Sequence, residues 1–130
     1  MDLGSVGHEA VGLELEPHAA VAGREFGRPI TLADITRIPF PDDTFDMAVS
    51  FDVMQVLEPD MAAVREMARI VRPGGRVVLT VAAFDVLSGD HAEVWSEHRR
   101  YTPRTASELV ESAGLTVERV SFAFASLFPL

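Results

Sequence analysis

Apolar residues along the chain switch repeatedly between short continuous runs and a three-to-four-residue spacing, and that switching leaves few folds open. The run "AVGLEL" at 10–15 reads as a short buried strand, and "PHAAVAGREFG" at 17–27 as a helix with Pro17 in its first turn and Gly27 as its stop. "PITLAD" at 29–34 is the next strand, and "TRIPFPDDT" is a loop punctuated by Pro39 and Pro41. "FDMAVSF" at 45–51 is a third strand. "MAAVREMARIV" at 61–71 is an amphipathic helix with Val64, Met67, Ala68 and Val71 on one stripe, broken by "RPGG". "RVVLTVAAF" at 76–84, the most apolar run, reads as a central strand. After a stretch without clean period comes a helix at 102–114, with two competing starts: Thr102 before Pro103, or Thr105 with Glu108 as a capping box. "LTVERVSFA" at 115–123 alternates as a strand. Strand and helix in turn predict an open α/β sheet whose ligand lies beyond the carboxyl ends of the strands.

Composition narrows the function classes. A chain of 130 residues with 48% hydrophobic and 24% charged residues is of single-domain size and globular. The net charge of −9 disfavours nucleic acid, because phosphate binding needs a basic face. No run approaches a membrane span, and a cytoplasmic location is expected. There is no cysteine, and the four histidines show no two-ligand helical spacing, so no metal site is expected.

Three strand ends carry the candidate chemistry. Glu14 closes the first strand, Asp34 the second, and Ser50, Phe51 and Asp52 the third. A carboxylate at such a position can bind a ribose diol, since its oxygens accept parallel hydrogen bonds from vicinal hydroxyls. For Glu14 a solvated strand-end acid is the alternative.

The text "ADITRIPFPDDTFDMAVSFDVMQVL", followed by "VREMARIVRPGGRVVLTV", resembles the middle of the class I S-adenosylmethionine-dependent methyltransferases. In that family an acidic strand end, a loop of the type Leu-Pro-Phe-Pro-Asp-x-Ser-Phe-Asp, a strand, a helix ending Arg-x-Leu-x-Pro-Gly-Gly and an apolar strand follow in that order. The match covers roughly residues 10–120. It implies a Rossmann-like, mostly parallel open sheet with helices on both faces, as one methyltransferase-like domain over 1–130. Residues 1–9 are then an irregular N-terminus and 85–101 a loop on the active-site side. S-adenosylmethionine is the implied cofactor. Glu14 would hold the ribose hydroxyls, with Leu15 beside the adenine. Asp34 would accept from the adenine amino group while the Ile35 backbone donates to the ring. Ser50 and Phe51 would lie under the methionine portion. Two carboxylates suit a ligand with diol and amino donors and would repel a pyrophosphate, which separates this reading from a nicotinamide enzyme, the runner-up on fold alone.

The later segment "HRRY" at 98–101 is similar to a subset of these enzymes, often ones acting on small molecules. Its structural reading is an arginine pairing with a carboxylate and Tyr101 packing beneath the helix start; that is favoured over substrate contact. Trp95 is a candidate lid residue. Transfer from a sulfonium is an in-line displacement in which proximity supplies most of the rate, so no catalytic residue is assigned. Gln55, His91 and His98 are candidates for orienting the substrate.

The opening "DLGSVG" has the look of the family's glycine loop, yet only Met1 precedes it and "AVGLEL" follows too soon for a helix between them. The first strand and the last are therefore expected to be absent. Three readings follow: methyl transfer to an unidentified small molecule; an inactive methyltransferase-like fragment or partner subunit acting by protein–protein interaction; and another nucleotide-binding α/β module. Loss of the two strands would leave unpaired edges, and the tail "VSFAFASLFPL" is apolar, so a homo-oligomer formed through the tail or a swapped strand is expected.

Overall fold

A computed structural model describes residues 7–83 and 100–122. Strands β1 (Gly12–Glu14) and β2 (Ile30–Leu32) pair in parallel, Gly12 opposite Ile30 and Glu14 opposite Leu32. The pair is extended by hydrogen bonds from Gly12 N–H to the Pro29 carbonyl (2.8 Å) and from Ala33 N–H to the Glu14 carbonyl (2.9 Å). Helix α1 (Pro17–Glu25) makes the crossover. Proline is tolerated in its first turn because the N–H it lacks would have had no intrahelical partner. Arg24 near its end ties it down by donating twice to the Ile30 carbonyl, at 3.1 and 2.9 Å.

Strands β3 (Phe45–Phe51) and β4 (Val71–Thr80) form a second parallel pair, in register from Met47 opposite Arg76 to Phe51 opposite Thr80. Helix α2 (Asp60–Ile70) links them and buries Ala63, Val64, Met67 and Ile70. The stripe is thus shifted from the one expected: Val71 is buried too, but as the first residue of β4. The register breaks between the Phe45–Val71 and Met47–Arg76 pairs, and the Arg-Pro-Gly-Gly segment is the excess. Gly74 takes a φ of 83°, and a Cβ on Gly75 would stand 2.6 Å from the Asp46 carbonyl oxygen. Both glycines are therefore required by the way the chain folds back from helix to strand.

Of the two candidate starts for helix α3 (Pro103–Ser112), Thr102 is the one used: its hydroxyl accepts from Thr105 N–H (3.2 Å), and Thr105 Oγ accepts from Thr102 N–H (2.9 Å). Thr105 fills the place that Glu or Gln usually holds in a capping box.

One expected element is corrected. Residues 115–122 form no strand. Leu115 packs on the core, and Val117 is half-buried, so the alternation of the sequence is present. No described strand lies alongside to complete a ladder, and the chain is held by Leu115 N–H to the Val110 carbonyl and by the Arg76–Glu118 ion pair (3.1 Å). The core gathers Met54, Ala63, Val64, Met67, Ile70, Tyr101 and Leu109, with Leu13 of β1 and Ile35 in the turn after β2 packed against it. Among the described residues no strand pairing joins β1–β2 to β3–β4. Residues 84–99, with Trp95, His91, His98 and most of the expected active-site-side loop, lie outside the described residues, as do 1–6, with most of "DLGSVG", and 123–130.

Candidate cofactor site

The two carboxylates singled out in the sequence stand at the same end of neighbouring strands. Glu14 is the last residue of β1, and Asp34 follows β2 by two. Each is oriented by its own backbone. Glu14 Oε1 accepts from Leu15 N–H (2.9 Å) and Glu16 N–H (3.0 Å). Asp34 Oδ1 accepts from Thr36 N–H and Thr36 Oγ, both at 2.8 Å. Those two bonds, the backbone one first, hold the Asp34 carboxyl below the usual carboxylate range, with Arg37 adding to the effect. Among the described residues the second oxygen of each carboxylate has no partner. A carboxylate fixed through one oxygen and open at the other is a preorganised acceptor.

The remaining candidates divide. Leu15 is exposed beside Glu14, whereas Ile35 is half-buried against the core, leaving its backbone rather than its side chain for a ligand. Phe51 is exposed at the end of β3, but Ser50 is buried on the opposite face. Among the described residues the Ser50 hydroxyl has no hydrogen-bond partner, and neither has the buried Oε1 of Gln55 in the 3₁₀ turn Met54–Val56 that follows β3. Buried polar atoms are normally satisfied, so one such atom near the end of β3 and another just beyond it mark this segment as unusual.

Sequence reasoning gave Asp52 a place and no role. It takes a φ of 54°, a left-handed conformation that aspartate tolerates better than most residues. Its N–H donates to both the Thr80 carbonyl and Thr80 Oγ, and its Oδ1 accepts from that hydroxyl, all at 3.0 Å. The bonds fasten the ends of β3 and β4 together beside Ser50 and Phe51. Nothing in the sequence pairs residues 28 positions apart, so only the fold reveals this contact.

Tyr101 answers the question posed by "HRRY". Its ring is buried at 4% exposure, and its hydroxyl donates to Asp60 Oδ2 at 2.7 Å and lies 3.2 Å from the Met54 carbonyl. The Tyr101 side chain is thus a structural brace between α2, the 3₁₀ turn and the start of α3. A shallow cavity of about 320 Å³ opens beside it, lined by Asp60, Arg100, Tyr101, Thr105 and Glu108 among others. None of the six cofactor candidates lines it. A further network surrounds Arg69, which bonds Glu66 Oε1 and Oε2, Asp42 and the carbonyls of Ile38 and Phe40 at 2.8 to 2.9 Å. It anchors the 36–44 loop to α2 behind the strand ends.

The donor set fits S-adenosylmethionine: two carboxylate acceptors with open oxygens stand where hydroxyl and amino donors would be met, and no described group supplies a phosphate cradle. Among the described residues no cluster of His, Cys, Asp or Glu could hold a metal ion, and none of their helices is long and apolar enough to cross a membrane.

Residues 1–79 match the family described as a methyltransferase domain. Curated relatives include the demethylmenaquinone methyltransferases of Mycolicibacterium paratuberculosis, 38% identical over 82% of this chain and 46% of that protein, and of Mycobacterium marinum, 37% identical over 82% and 46%. The chain thus spans about half the length of the relatives it matches. Among solved structures, a chain of the complex between the Haloferax volcanii Trm112 methyltransferase activator and a methyltransferase superposes with a TM-score of 0.76, at 24% identity over 92% of this chain and 60% of that one. A SAM-dependent methyltransferase from Thermotoga maritima gives 0.70, at 20% identity over 79% and 53%. Identities this low carry the fold alone. With the family match over more than half its length and the parallel α/β architecture in place, this chain belongs to the class I S-adenosylmethionine-dependent methyltransferases.

Proposed function

We propose that the chain binds S-adenosylmethionine at the ends of β1, β2 and β3 and serves methyl transfer to a small molecule. The observation that carries this reading is the pair of backbone-oriented carboxylates, Glu14 and Asp34, each with one open oxygen. Glu14 holds the ribose diol with Leu15 beside the adenine; Asp34 and the Ile35 backbone meet the adenine edge; Ser50 and Phe51 lie under the amino-acid half. Bound, the cofactor supplies a methyl on a sulfonium, an electrophile that requires chiefly in-line positioning of the acceptor. The chain's own contribution is binding and orientation, and no described side chain is assigned proton transfer. The names of the curated relatives make a demethylmenaquinone-type acceptor the first to assay.

Calorimetric titration with S-adenosylhomocysteine tests the site. Wild type is expected to bind, and Glu14→Ala to weaken binding by about 2 kcal/mol, the scale of hydrogen bonds to a charged group. Asp34→Ala should narrow the preference for an adenosyl over an inosyl analogue. Equal affinity of Glu14→Ala and wild type refutes the placement. Absence of binding by wild type refutes the reading and favours the second one: a methyltransferase-like partner subunit. The presence of a similarly folded chain in a complex with an activator supports that alternative.

A further inference from the structure

We infer that Glu66 and Arg69 of α2 are positioning residues for base recognition: by clamping Ile38 they fix the turn at 34–37, and through it the selectivity for adenine. The inference rests on the cofactor site proposed above, which sets Asp34 and the Ile35 backbone against the adenine edge.

The turn at 34–37 is attached to the fold at few points. Within it, Arg37 N–H donates to the Asp34 carbonyl (2.9 Å), and Asp34 Oδ1 accepts from Thr36 N–H and Thr36 Oγ. Among the described residues no hydrogen bond joins these four residues to another segment. Their placement therefore depends on the Ile35 side chain, which packs on the core, and on the two flanks. On one flank Ala33 N–H donates to the Glu14 carbonyl (2.9 Å) and continues the β1–β2 ladder. On the other stands Ile38, whose side chain is buried and whose two backbone groups both go to α2. Its N–H donates to Glu66 Oε2 (2.8 Å), and its carbonyl accepts from Arg69 Nη2 (2.9 Å).

This clamp is saturated. A guanidinium has five N–H donors in a planar fork, and Arg69 makes five bonds: to Glu66 Oε1 and Oε2, to the carbonyls of Ile38 and Phe40, and to Asp42 Oδ1. Glu66 Oε2 receives both Arg69 and Ile38 N–H, so the two side chains and the loop backbone move as one unit. Lysine, a point charge with three donors, cannot reproduce the fork. Glu14 is oriented separately, through the N–H groups of Leu15 and Glu16. A loosened clamp thus leaves the diol acceptor in place and lets the base-reading groups drift. Hydrogen bonds weaken steeply with misalignment, so the effect falls on the choice of base.

The test titrates S-adenosylhomocysteine and S-inosylhomocysteine, which differ only in the base, into the full chain, and follows amide hydrogen exchange without ligand. Glu66→Ala and Arg69→Lys should each lower the adenosyl-over-inosyl preference by about fivefold, the equivalent of one hydrogen bond. Both should speed exchange of the Thr36 and Arg37 amides. Glu66→Gln should restore both readouts, because its amide oxygen can take the place of Oε2 and accept from Ile38 N–H and Arg69 Nη2. Thr102→Ala, which removes the α3 cap, should lower stability and leave both readouts as in wild type. A wild-type preference in Glu66→Ala and Arg69→Lys overturns the inference, and so does an equal loss of affinity for the two analogues. An equally large change in Thr102→Ala overturns it by making the effect one of general stability. If wild type binds neither analogue, the cofactor site is refuted; faster exchange of the two amides in the two variants still supports the clamp, and unchanged exchange overturns it.

Discussion

Tyr101 shows what a single buried side chain does here. Its hydroxyl reaches Asp60, which is 7% exposed, and this bond closes a brace between segments 41 residues apart in sequence. Tyr101→Phe keeps the ring and removes the donor, so a loss of about 1–3 kcal/mol in chemical denaturation is expected. S-adenosylhomocysteine affinity should be unchanged, because the brace lies apart from Glu14 and Asp34. The sequence supplied the carboxylates Glu14 and Asp34 as strand-end acids, since position relative to an apolar run is a local property. It did not supply their self-orientation through Leu15, Glu16 and Thr36, nor the Asp52–Thr80 and Tyr101–Asp60 bonds, which depend on contacts made only after the strands and helices have met.

Elements were legible in proportion to how much of their definition is local. β3 occurs over the residues its apolar run marks, and α2 is displaced by one residue, because hydrophobic period and flanking prolines determine both. The alternating segment at 115–122 has the same kind of pattern and is not a strand, because a strand is completed by its neighbour's hydrogen bonds. At α3 two starts compete on paper, and the reciprocal Thr102–Thr105 bonds decide. Thr102→Ala should therefore cost about 1 kcal/mol of stability, measured by urea denaturation, whereas Glu108→Ala, on the exposed helix face, should cost little. Should the two variants lose equal stability, the cap is not where the hydrogen bonds place it.

At the scale of the whole molecule, acidity and stability are linked through the Arg69 network. Glu66 bonds Arg69 through both oxygens and also receives Ile38 N–H, and the Arg69 bond, as the largest cause, holds its carboxyl below the ordinary range. A folded-state value below the unfolded one means that the stabilisation is fully present above the unfolded value, near pH 4.5. It is lost as pH falls through the depressed folded value. Thermal midpoints followed from pH 7 to pH 3 should therefore drop more steeply for wild type than for Glu66→Gln, which has no proton to take up; parallel curves would remove Glu66 from the acid response.

The bridge between Ala83 and Tyr101, where Tyr101 N–H donates to the Ala82 carbonyl at 2.8 Å, brings the two ends of the intervening segment side by side. A segment whose endpoints are already fastened can change length cheaply, since doubling a loop adds only about 0.6 kcal/mol of closure entropy. The sequence between those endpoints is thus free to vary by insertion or replacement while the framework around Tyr101 stays fixed. A chimaera carrying a relative's segment between Ala83 and Arg100 should therefore unfold within a few degrees of the parent.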